Sequence, residues 1–65
     1  MSLAKVIEVL AEGDSVEAAV ENAVAEASNT VKNLRSAYVN DIQAIVREGA
    51  VVKYRVNVKI TFVIE

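Results

Sequence analysis

The side chains that could do chemistry in this 65-residue chain are few, and the absences decide most of it. With no His and no Cys, neither a Ser-His nor a Cys-His pair can activate a nucleophile. The zinc ligands of a structural finger are missing as well. Gly13 and Gly49 are the only glycines, and neither begins a GxGxxG or a GxxxxGK[ST] pattern. A backbone cradle for nucleotide phosphates is therefore not encoded. Catalysis would have to rest on carboxylates, Lys or Tyr without a paired motif, so the expectation is a binding or storage protein and not an enzyme.

Two constellations remain. Glu12, Asp14 and Glu17 put three carboxylates near one turn, a set suited to a hard cation such as calcium. The same residues also serve as a helix cap and as acids complementing a helix dipole. Further on, Tyr38 with Ser36, Asp41, Gln43 and Arg55 forms a polar and aromatic group on neighbouring strands. It suits a small-ligand pocket between subunits; an ordinary sheet face carrying an interface tyrosine, the more common origin of such a group, explains it too.

The elements that must position these residues read as β-α-β-β. Ala4 to Leu10 is rich in Val and Ile and ends in the turn cluster Glu12-Gly13-Asp14, which marks a strand and its stop. Asp14 is expected to cap the next helix, with Glu17 returning the bond of a capping box. Val16, Ala19, Val20, Ala23, Val24, Ala27 and Val31 then recur at three- and four-residue steps, predicting an amphipathic helix to about Lys32. Its apolar face is all Ala and Val, which lets a sheet approach closely but buries little area.

From Leu34 to Glu48 both faces of the expected strand are mixed, with Leu34, Tyr38, Ile42 and Val46 on one and Ala37, Val39 and Ile45 on the other. Such a strand suits a subunit contact. Arg47-Glu48-Gly49 marks a tight hairpin. The last strand has the clearest pattern: Val52, Tyr54, Val56, Val58, Ile60, Phe62 and Ile64 alternate with Lys53, Arg55, Asn57, Lys59, Thr61 and Glu65, one face apolar and one polar. A right-handed crossover makes the first and second strands parallel and leaves the last strand between them, antiparallel to both. The predicted fold is α+β, a three-stranded sheet packed on one helix, in a single domain over residues 1–65.

A core of this size seldom supplies more than ~3–5 kcal/mol alone. Disulfides and zinc are excluded, so self-association is the stabilising device left. The composition agrees, being 54% hydrophobic with a mean hydropathy of +0.33. No apolar run reaches the ~18 residues of a membrane span, and no basic region followed by an apolar one opens the chain; a cytoplasmic protein without membrane partners is expected. Seven Lys and Arg against nine Asp and Glu give a net charge of −2. That scattered balance does not make a nucleic-acid surface.

Taken together, Val6-Ile7-Glu8, Gly13-Asp14-Ser15, Ala18-Ala19, Ala23, Ala27, Thr30-Val31 and Asn33-Leu34-Arg35 resemble the dodecins. Gly49 followed by Tyr54, Val56, Val58, Lys59, Phe62 and Glu65 is similar to that family's last strand, Y-x-V-x-V-K-x-x-F-x-x-E. The resemblance implies a hollow homododecamer holding a flavin, riboflavin or FMN, at subunit contacts. In flavin-binding dodecins a tryptophan at the start of the second strand stacks on the ring and a glutamine on the last strand binds its polar edge. Those positions correspond here to Ser36 and Arg55, and the chain has no Trp. Ser36, Tyr38, Gln43 and Arg55 are then the expected ligand residues, with Tyr38 offering a smaller ring and Arg55 a donor for a carbonyl or an anionic group. A shell that carries metal ions, calcium through Glu12, Asp14 and Glu17, or one that is purely structural, is the alternative the resemblance leaves.

Overall fold

The computed structural model describes residues 3–64; Glu65, the last residue of the motif above, lies outside them. The order is β1 (Leu3–Gly13), α1 (Val16–Ser28), β2 (Leu34–Arg47) and β3 (Ala50–Ile64). The sheet order is β1-β3-β2, with β3 antiparallel to both neighbours. The longest alternating strand is central, as its pattern predicts.

The core lies where α1 crosses this sheet. Ala19, Ala23 and Ala27 are buried on the helix, and Val56, Val58 and Ile60 are fully buried beneath them. Methyl-sized side chains let the helix sit close to β3, so three branched residues fill the gap. The approach is close at the end of β1, where a Cβ on Gly13 would stand 2.6 Å from the Ala19 nitrogen. Only glycine fits there.

The helix start differs from expectation. Ser15, in extended conformation, is the N-cap, and its Oγ accepts from the Ala18 N–H at 3.0 Å. Asp14 is one residue too early, and Glu17 lies in the first turn at the second helical position, short of a capping box. The helix also stops at Ser28, short of Lys32. Asn33 adopts φ 62°, donates from Nδ2 to the Val63 carbonyl and accepts at its own carbonyl from the Val63 N–H. Tying Asn33 to β3 turns the chain out of the helix and into β2.

The hairpin between β2 and β3 has two loop residues, Glu48 at φ 51° and Gly49 at φ 77°. Two positive φ values make the type I′ turn whose twist matches the strands. Three register shifts interrupt β2, between Leu34 and Ser36, Val39 and Asp41, and Ile45 and Val46. Each reverses which residues face α1. Leu34 and Ile42 stand opposite Phe62 and Val56 on the helix side, whereas Tyr38 stands opposite Lys59 on the outer side. The expected grouping of Leu34, Tyr38, Ile42 and Val46 on one face is corrected accordingly.

Candidate functional site

The outer face of the sheet, away from α1, collects the polar half of β3 together with the matching positions of its neighbours. From β1 come Val6, Glu8, Leu10 and Glu12, opposite Thr61, Lys59, Asn57 and Arg55. From β2 come Ser36, Tyr38, Asp41 and Gln43, opposite Thr61, Lys59, Asn57 and Arg55 in turn. All four expected ligand residues thus share this face.

They do not share one hollow. Gln43 and Arg55 are cross-strand neighbours and line an open groove of about 410 Å³ with Leu10, Asp41, Ile42 and Asn57. Ser36 lines a separate hollow of about 230 Å³ with Val24, Leu34, Arg35, Ala37 and Ile60. Tyr38 stands 66% exposed between them. Ser36 pairs with Thr61, six positions along β3 from Arg55, or about 20 Å at ~3.3 Å per residue. Within one protomer Ser36 and Arg55 are too far apart to touch the same ring.

Beside the groove, Glu12 gathers the charges that reach Arg55. The Lys53 Nζ lies 2.8 Å from Oε1, while Arg55 places Nε at 2.8 Å and a terminal nitrogen at 2.7 Å from Oε2. Hydrogen bonds first from Lys53 and then from Arg55 hold the Glu12 carboxyl below the usual carboxylate range. The Asn22 amide fixes the backbone beneath it by donating to the Glu12 carbonyl at 2.8 Å. Across the groove, the Asp41 carboxylate accepts from the Asn40 amide at 3.0 Å. Asn57 Oδ1 is buried without a hydrogen-bond partner, leaving an acceptor beside the groove that calls for a donor.

The three carboxylates of the acidic turn do not converge. Among the described residues no group of three acids, His or Cys is placed to hold a metal ion. Glu12 belongs to β1 and turns toward Lys53 and Arg55, while Glu17 rides on α1 and Asp14 sits in the turn between. The expected calcium set of Glu12, Asp14 and Glu17 is therefore not assembled within a protomer, because the strand's outward alternation takes Glu12 away from the helix.

Leu10 and Asn57 are groove residues that the sequence reading passed over. The signal was available in principle: Leu10 shares strand parity with Glu12, and Asn57 with Arg55. It becomes usable only once the β1–β3 register is known.

Comparison with known proteins follows the same lines. The family model described as Dodecin matches residues 3–65. No curated protein sequence matches the chain. Among solved structures, an arginine-to-alanine variant of the dodecin from T. thermophilus is similar with a TM-score of 0.92 at 27% identity, covering 100% of this chain and 98% of that one. The tt0972 protein from Thermus thermophilus has the same score and identity, covering 100% and 97%. The dodecin from Streptomyces davaonensis, at 22% identity, TM-score 0.92 and coverage of 98% and 96%, shares the fold.

Proposed function

The chain belongs to the dodecin family, whose members bind small flavin ligands, and from that premise we propose that it forms a closed homododecamer that stores or buffers a flavin-type ligand in the cytoplasm, without turnover. The observation that carries this reading is the open groove on the outer sheet face, where Gln43, Arg55 and Asn57 meet the apolar side chain of Leu10, with Ile42 at its margin. Polar groups at one edge and apolar groups around them are what an amphipathic planar ligand requires.

The site is completed across a subunit contact. Ser36 and Tyr38 of one protomer join Gln43 and Arg55 of another, since about 20 Å of strand separates Ser36 from Arg55 in a single chain. Exposed Val6, Leu10 and Tyr38 on this face supply the apolar surface for that contact. Tyr38 offers the ring, smaller than the tryptophan surface usual in flavin-binding dodecins, so affinity is expected to be lower.

Light scattering should give a mass near twelve times that of the chain, and the assembled protein should quench the fluorescence of added riboflavin. Ser36→Trp should strengthen that quenching. An intact assembly that quenches neither as wild type nor as Ser36→Trp would leave the family fold standing and remove flavin as the ligand.

A further inference from the structure

We infer that Glu12 sets the charge selectivity of the groove, so that it takes an uncharged heterocycle in preference to a phosphorylated one; the inference rests on the flavin reading above. The charged residues lining the groove are Asp41 on β2 and Arg55 on β3, and at its end Glu12 on β1 holds Arg55 together with Lys53 of β3. Two carboxylates stand against two cations, and the local charge is zero.

The cations are also already engaged. Arg55 directs both Nε and a terminal nitrogen at Glu12 Oε2, 2.8 and 2.7 Å away, and Lys53 takes Oε1 at 2.8 Å. A phosphate carrying roughly −1.5 to −2 charges would have to pull Arg55 off Glu12 and sit beside both Glu12 and Asp41. Like charges brought together in this way oppose binding. A neutral ring meets no such opposition. Its imide or amide edge finds the donors and acceptors of Gln43 and Asn57, the latter with an unmet acceptor, and its face finds Leu10. Arg55, which as an isolated side chain would favour anions, is converted by Glu12 into a neutral wall.

Riboflavin and FMN share one ring system and differ by a terminal phosphate, which makes them the probe pair. Titrated into the assembled protein, riboflavin should bind more tightly than FMN by about tenfold. Glu12→Gln frees both cations and should narrow or reverse that ratio, with the gain for FMN fading as salt is raised. Light scattering reports whether the assembly survives the substitution; if it does not, Asp41→Asn removes the other carboxylate while leaving the Glu12 pairs intact and should shift the ratio toward FMN in the same direction. Wild-type protein that binds FMN as tightly as riboflavin, or an assembled Glu12→Gln with an unchanged ratio, overturns the inference. Should neither flavin bind, the flavin reading falls, and inorganic phosphate decides the charge question by itself: calorimetry should show no uptake by wild type and uptake by Glu12→Gln, and equal uptake by both would overturn the assignment.

Discussion

Two stretches of the helix-side face of β3 behave differently. Val56, Val58 and Ile60 are fully buried, whereas Val52, on the same alternation, is 46% exposed. Both stretches are equally apolar in sequence. The difference is reach: α1 has 13 residues, about 20 Å at ~1.5 Å per residue, while β3 has 15, about 50 Å at ~3.3 Å per residue. β1 ends opposite Tyr54, so beyond it β2 and β3 continue as a two-stranded ribbon with Val46, Val51 and Val52 open to solvent. Such a ribbon is marginal in isolation. One end of the sheet is a finished core, and at the other the apolar side chains are left uncovered within the protomer.

The strongest way to break the comparison is to remove the apolar character of the bare end. Val46 and Val51 face each other on the outer side of the ribbon, so Val46→Lys with Val51→Glu keeps a favourable cross-strand pair while removing two of its three exposed valines. The scattering mass should fall several-fold. An unchanged mass would show that the ribbon touches no partner.

At the covered end the effects should be those of a packed core. Ile60→Ala should cost about 2–5 kcal/mol through the cavity it leaves, read as a lowered denaturation midpoint. Gly13→Ala should cost about 1–3 kcal/mol by pushing β1 away from Ala19, and a neutral result would mean that the helix can shift outward without loss. Ser15→Ala should cost about 0.5–2 kcal/mol, with Asp14→Ala near neutral as its control; the reverse order would return the cap to Asp14.

The smallest effect is electrostatic. Because Glu12 is held below its usual range in the folded protein, its contribution is present above the unfolded carboxyl value near ~4.3 and is lost as pH falls through the folded value. Glu12→Gln should flatten the acid side of the stability profile slightly, the pair being well exposed. An acid limb identical in the two proteins would remove Glu12 from that transition.

Element order, a tight hairpin at Arg47-Glu48-Gly49 and the Ala/Val face of α1 were legible in the residues, because each rests on a short-range rule: a period of two, a period near 3.6, or a turn-forming segment; the central place of β3 followed from the handedness of the crossover. Ser36 and Tyr38 share a face by the same alternation, but Gln43 joins them only through the bulge between Val39 and Asp41. What tertiary structure alone decided was phase and distance. The bulges in β2 separate Leu34 and Ile42 from Tyr38, although simple alternation puts them together, and a bulge depends on how two strands pair, not on either strand by itself. The β1–β3 register brings Glu12 to Lys53 and Arg55, more than forty residues away in sequence, and so makes a carboxylate of the acidic turn the counter-charge of two cations. Local periodicity assigns each side chain a face; only the pairing of strands tells it which neighbours it meets there.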